Sequence, residues 1–228
     1  MASVALAALL SYLLGAVPFS LITARLYGVD LRQHGSGNAG ATNVWRVLGK
    51  GPGIAVFALD FAKGLLPTLL APGLFGAYLG AALGADGAAW LAVAAGTAAM
   101  LGHVFTLWGR LFFGSWKGGK GVATGTGMIA GLIPVATLVA VAVFAATMAA
   151  TRWVSLGSIL ATLSLPVTLG IQTLLGARFA APVWVFALVV PLFIVWTHRA
   201  NVRRIADGTE PRLSDKAEKL APGGENSA

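Results

Sequence analysis

The chain has 228 residues, of which 57% are hydrophobic and 11% charged, with a formal net charge of +8 and no cysteine. A soluble domain carries roughly 25% charged residues, so that class is excluded, and with it a nucleic-acid partner for the basic balance. Without cysteine there are no disulfides, no thiolate chemistry and no Cys-based metal site.

The first run, "ASVALAALLSYLLGAVPFSLITA" (2–24), is uncharged over a length that crosses a bilayer as a helix, about 20 residues. It has neither a Lys/Arg-rich start nor a small-residue cleavage site before a polar domain, so it reads as a retained span. "HGSGNAGATNVWR" (34–46) follows and is oddly polar for this chain. A straight helix would hold Ser36 and Arg46 about 15 Å apart, too far to share one ligand. The glycines therefore predict a loop through Gly40 and a short helix ending near Gly49, on which Thr42 and Asn43 share a face with Arg46.

A span near 53–72 carries Asp60 and Lys63, where charge is costly and usually paired. They read as an i,i+3 ion pair supporting a site, or as ligand contacts. An outer turn over 73–88 and a returning span near 89–108 lead to His103, read as structural, and then to "GSWKGGKGVATGTG" (114–127). Residues 121–151 read as two short helices turning at Gly131–Pro134, because one long helix would export the basic tail. Gly125, Gly127 and Gly131 read as helix contacts. Two more spans, near 155–175 and 182–198, separate "RWVSLGS" (152–158) from "HRANVRRIADGTE" (198–210).

Basic residues cluster after the first span (Arg25, Arg32, Arg46, Lys50), after the third apolar run (Arg110, Lys117, Lys120), at Arg152, and in the tail (Arg199, Arg203, Arg204, Arg212, Lys216, Lys219). The segments placed outside contain only Arg178. The positive-inside rule puts all four clusters in the cytoplasm. The expected fold is all-α: a polytopic membrane bundle of seven transmembrane helices, amino terminus outside and carboxyl terminus cytoplasmic. The membrane domain is placed at 1–205 and a cytoplasmic tail at 206–228.

The three glycine-rich polar stretches thus share one face of the membrane. Glycine lets backbone N–H groups approach an anion, hydroxyls add donors, and Lys and Arg add charge. The combination describes a phosphate cradle, with Ser36, Asn38, Thr42, Asn43 and Arg46 on one wall, Lys117 and Lys120 on a second, and Ser155, His198, Asn201 and Arg204 on a third. "GSGNAG" matches G-x-G-x-x-G formally but follows a membrane helix rather than a strand. "GSWKGGKG" nears a Walker A loop, but Gly121 stands where Ser or Thr holds magnesium.

"GSGNAGATNVWR", "KGGKGVATG", "RWVSLGS" and "HRANVRRIADGTE" together resemble the motifs of the bacterial membrane acyl-phosphate:glycerol-3-phosphate acyltransferases (PlsY-type), in similar order over roughly 5–211. The resemblance implies transfer of a fatty acyl group from acyl phosphate to the 1-hydroxyl of glycerol 3-phosphate, giving lysophosphatidic acid and phosphate, the first step of phospholipid synthesis. It implies no metal or other cofactor, and a place in the bacterial cytoplasmic (inner) membrane with the site facing the cytoplasm. It carries phosphate-binding and active-site roles onto Ser36, Arg46, Lys120, Ser155, His198 and Asn201. Partners so implied are glycerol 3-phosphate, a fatty acyl phosphate and membrane lipid; an enzyme supplying acyl phosphate is a further candidate. The chain departs from the pattern at Thr106, where the family usually has proline, and by several extra residues before "KGGKG". No His is followed by Asp five positions on, so the other widespread glycerophosphate acyltransferase class, with its His-x4-Asp pair, is excluded. An organophosphate transporter is the alternative function, since broken helices and intramembrane polar groups suit transport too.

Overall fold

The computed structural model describes residues 2–79 and 86–215. Among these it is helical apart from one isolated antiparallel bridge between Phe105 and Lys117. Lys216, Lys219 and the middle of the expected outer turn (80–85) lie outside the described residues.

The first apolar run is not one helix. Pro18 has no N–H to donate and disrupts the turn before it, so the run divides into α1 (Ala2–Gly15) and α2 (Phe19–Leu26). Distant donors take the carbonyls at the break. Trp108 Nε1 reaches Leu13 O at 2.8 Å, the Thr106 hydroxyl reaches Ala16 O, and Lys63 Nζ reaches Val17 O at 3.0 Å. Irregular backbone at membrane depth persists only where such partners exist. The span expected over 2–24 is thus one crossing, 4–26, whose helix is interrupted between Gly15 and Phe19.

A 3-10 turn (Leu31–Gln33) and a loop lead into α3 (Ala41–Leu48), which ends at Gly49 with φ +100°. That is the loop and short helix the glycine spacing predicts. Then come α4 (Lys50–Leu79), α5 (Gly87–Val104), α6 (Leu107–Phe113), α7 (Val122–Leu132), α8 (Pro134–Thr151), α9 (Val154–Leu174), α10 (Ala181–Thr197) and α11 (Arg199–Ala206). The segment before the second glycine-rich stretch forms α6. Thr106 caps it by accepting from Gly109 N at 2.9 Å, and the Phe105–Lys117 bridge closes the excursion.

Small residues set how close the helices come. A Cβ added at Gly64 would strike the Thr124 backbone, and one at Gly127 the Phe61 carbonyl, so α4 and α7 meet backbone to backbone. Gly15 against Ala99 and Gly102 against Tyr12 do the same for α1 and α5. This is the small-residue packing of membrane helices. Gly127 and Gly131 are helix contacts as expected, whereas Gly125 borders the cavity described below. The largest core unites Met100, Met128, Leu165, Leu169, Phe186 and Ile194, and a smaller one of Leu21, Leu31, Val44 and Val56 lies under the first polar loop.

Five segments are long and apolar enough to cross a membrane among the described residues: 4–26, 50–76, 87–104, 134–151 and 154–174. The pair α10 and α11, bent by 59°, makes a sixth. The break expected near Gly131–Pro134 occurs at Ile133, but its arms are unequal, 11 residues in α7 and 18 in α8. At 1.5 Å per residue α7 is only about 16 Å long, short of a hydrocarbon core of about 30 Å.

Residues just after α11 pack back on the helices. Glu210 is buried, Trp153 Nε1 donates to its carbonyl at 3.1 Å, and Leu213 N donates to Arg152 O at 3.0 Å. Residues 207–215 therefore form a strap across the ends of α9 and α11.

Candidate functional site

The three polar stretches converge on one cavity of about 250 Å³. Its mouth is polar, bordered by Ser36, Asn38, Thr42, Arg46, Lys120, Ser155, His198, Asn201 and Glu210, and its arm is apolar, walled by Val122, Ile129, Val141, Phe144, Val190 and Ile194. Hydroxyls along the arm are turned onto their own helices: Thr126 to Val122 O, Ser158 to Val154 O and Thr162 to Ser158 O, each at 2.7–2.8 Å.

The first wall is shaped by one side chain. Asn43 is 1% exposed. Its Oδ1 accepts from Ser36 N at 2.9 Å, and its Nδ2 donates to Leu31 O at 3.1 Å and His34 O at 3.0 Å. All three contacts fold the loop onto α3, so Asn43 braces the wall. Gly35 and Gly37 adopt φ of +60° and +65° in the turn so formed. Gly40, Ala41 and Thr42 bring the N-terminus of α3 to the cavity, an end that favours anions. Arg46 borders the cavity one turn on. Its Nη2 donates to Pro211 O at 3.0 Å and its Nε to Arg212 O at 3.3 Å, and burial lowers its pKa.

On the second wall, Gly118 N donates to Val104 O at 2.9 Å and Gly119 N to His103 O at 3.2 Å. Gly121, at φ +85°, turns the chain into α7. Lys120 is thereby directed inward, donating to Asn201 Oδ1 at 2.5 Å. Burial, helped by Arg204 and Arg46, brings its pKa down to about 8 against the opposing pull of Glu210. Lys117 is exposed and does not border the cavity.

On the third wall a residue the sequence reading overlooked organises the rest. Glu210 Oε1 accepts from Ser155 Oγ and Asn201 Nδ2, both at 2.7 Å, and Oε2 accepts from Arg204 Nε at 2.8 Å. Burial alone would raise the Glu210 pKa, but these hydrogen bonds outweigh it and hold the carboxyl below its ordinary value. Arg204 is committed to this pair and lies outside the cavity wall. The available signal was the pair of acids, Asp207 and Glu210, that follows the arginines in "HRANVRRIADGTE".

His198 caps α10 and is 3% exposed. Its Nδ1 lies 2.8 Å from Ile194 O. A carbonyl only accepts, so Nδ1 carries the proton and Nε2 keeps a lone pair. Of the predicted site residues, Ser36, Asn38, Thr42, Asn43, Arg46, Lys120, Ser155, His198 and Asn201 meet at this cavity, and Lys117 and Arg204 do not.

A family model described as glycerol-3-phosphate acyltransferase matches residues 5–208. A glycerol-3-phosphate acyltransferase of Chlorobium phaeobacteroides is 38% identical, covering 90% of this chain and 94% of the relative. One from a Synechococcus strain is 42% identical, covering 91% and 94%. Among solved structures, the chain is similar to PlsY, an integral membrane glycerol 3-phosphate acyltransferase. In its glycerol 3-phosphate form the identity is 39% and the TM-score 0.79, over 92% of this chain and 95% of that one. In its lysophosphatidic acid form they are 38% and 0.77, over 93% and 96%.

Proposed function

This chain belongs to the glycerol-3-phosphate acyltransferase family and is a multi-pass membrane acyltransferase; on that premise we propose that its acyl donor is a fatty acyl phosphate, with glycerol 3-phosphate as acceptor. The observation carrying this reading is that one cavity joins a cationic, hydroxyl-lined mouth to an apolar arm. An amphiphile with a phosphate head fits both parts at once. PlsY has been solved with glycerol 3-phosphate and with lysophosphatidic acid, a pair of ligands that differ by one acyl chain.

In the proposed reaction the 1-hydroxyl oxygen of glycerol 3-phosphate attacks the acyl carbonyl carbon. A C–O ester bond forms, the C–O bond to phosphate breaks, and the hydroxyl proton leaves on the departing phosphate. Acyl phosphate is a mixed anhydride and already activated, so no protein nucleophile is required. Arg46, Lys120, Ser36 and the N-terminus of α3 hold phosphate oxygens and offset charge developing on them. Ser155 and Asn201, fixed by Glu210, complete the donor set. His198 Nε2, left with its lone pair by the Nδ1 contact to Ile194 O, accepts from the attacking hydroxyl and aims it, so positioning is its role.

Topology follows from the same meeting point. Arg46, Lys120, Ser155 and Asn201 share one mouth, so the chain between each successive pair leaves that face and returns. With α7 as a short crossing inside the bundle, this reading has seven crossings, the amino terminus outside and the carboxyl terminus cytoplasmic. The membrane is the bacterial inner membrane, with the acyl chain reaching the arm from its inner leaflet.

The test is to supply purified protein with palmitoyl phosphate and radiolabelled glycerol 3-phosphate, without metal, nucleotide or acyl-CoA. Labelled lysophosphatidic acid that is lost in Arg46→Ala and Lys120→Ala supports the donor and the cradle. Label appearing only with acyl-CoA or acyl carrier protein as donor overturns it.

A further inference from the structure

Three ionisable side chains lie inside the bundle that the proposed reaction does not use. Asp60 on α4 is 2% exposed, Lys63 one turn later 2%, and His103 at the end of α5 7%. Lys63 Nζ lies 2.8 Å from Asp60 Oδ1, and His103 Nδ1 lies 3.5 Å from the same oxygen. Lys63 Nζ also donates to Val17 O at the break between α1 and α2, and stands 5.5 Å from the centre of the Phe19 ring. Four elements therefore meet on this cluster. Stability alone is a poor reason for its charge, since apolar residues of similar volume serve a bundle core equally well or better.

The contacts of His103 indicate what the charge is for. Its carbonyl receives Gly119 N, and the next carbonyl, of Val104, receives Gly118 N. On the other side its imidazole lies against Gly119, where an added methyl group would overlap Nε2. The residue after Gly119 is Lys120. A continuous line of contact thus runs from Lys63 through Asp60, His103 and Gly119 to the ammonium in the cavity. Asp60 and His103 themselves border the cavity. The Asp60–Lys63 pair is neutral overall, so it adds no net charge beside an anion.

We infer that Asp60, Lys63 and His103 form a positioning cluster for the reaction: they fix the Gly118–Gly119 backbone and so place Lys120 against a substrate phosphate. The inference rests on the role proposed above for Lys120. None of the three touches the reacting atoms in this account. Their effect is on how well phosphate is held, and so on KM rather than on the chemical step.

The experiment uses full-length protein in detergent and measures Tm, kcat, and KM for glycerol 3-phosphate and palmitoyl phosphate separately. Asp60→Leu with Lys63→Met removes both charges together and leaves neither one unpaired. The expected result is a Tm within a few degrees of wild type, kcat within threefold, and KM for at least one phosphate substrate raised tenfold or more. Gly119→Ala, which leaves the ion pair intact, is expected to give the same split. His103→Ala, which removes the link between Asp60 and Gly119, is expected to raise the same KM. If the double charge variant does not fold, the Gly119 and His103 variants carry the test. A fall in kcat with both KM values unchanged marks a purely structural cluster and overturns the inference. So do unchanged constants in these variants while Lys120→Ala raises KM. If Lys120→Ala itself leaves both KM values unchanged, the proposed role of Lys120 fails instead.

Discussion

The first and third walls of the cavity do similar work by opposite means. The first is one continuous segment, and one neutral side chain, Asn43, ties its loop to the helix that follows, with all its partners within twelve residues. The third is assembled from the start of α9 and from α11 with its strap, held by the Glu210 carboxylate, whose bond to Ser155 spans 55 residues. A local brace has only its own loop to lose. An ionic hub has several pieces, and its loss separates them.

That contrast is broken most severely at Glu210. Glu210→Ala removes the partner of Ser155, Asn201 and Arg204 at once, and kcat/KM should fall by about a thousandfold or more, as when positioned donors are lost from an active site. A lowered Tm in detergent should accompany it. Activity within tenfold of wild type would show that the hub does not organise the wall.

Asn43→Ala should act next in size and more narrowly. It leaves the Ser36 N–H without its partner and takes one of two donors from Leu31 O and from His34 O, a cost of about 1–3 kcal/mol in buried surroundings, read as a rise of about tenfold or more in KM with little change in kcat. Equal damage to kcat and KM would mean that the brace and the hub are not distinct in kind.

A pH series sharpens the picture at the second wall. Lys120 holds an anion only while protonated, and its pKa of about 8 means the cation is present below that pH and lost above it. KM should therefore climb on the alkaline side, approaching about tenfold per unit where binding depends on that charge. Lys120→Arg, with a guanidinium that stays charged, should remove the limb even if it weakens binding at pH 7. A limb that persists in that variant belongs to another group.

The smallest effect is expected at His198. His198→Gln keeps a hydrogen-bond acceptor near Nε2, and kcat should drop only about threefold, where loss of a general base costs about a hundredfold to ten-thousandfold. A drop in that larger range would reassign the proton.

Local features were legible in the sequence and tertiary ones were not. The loop through Gly40 and the helix stopped by Gly49 follow from glycine spacing alone, and the ends of α9 and α10 fall within a residue of the apolar runs. The cradle could be read as chemistry because its donors lie close together in three short stretches. What charge counting does not carry is direction. Lys117 and Lys120 look alike in "KGGK", yet the left-handed turn at Gly121 and the bond to Asn201 direct only the second inward. Arg204 reads as a phosphate ligand until Glu210, six residues on, claims it. Hydropathy likewise passes over Pro18, because the break depends on donors 46 to 95 residues away.

Those donors also constrain the order in which the protein is made. When α1 and α2 enter the bilayer, Lys63, Thr106 and Trp108 have not yet been synthesised. The carbonyls of Leu13 and Ala16 then face either lipid, at a cost of several kcal/mol each, or whatever the insertion machinery offers, while Val17 O has only Phe19 N. The break at Pro18 is therefore completed late, when α4 and α6 arrive, and a nascent chain released before residue 108 lacks the groups that finish its first span.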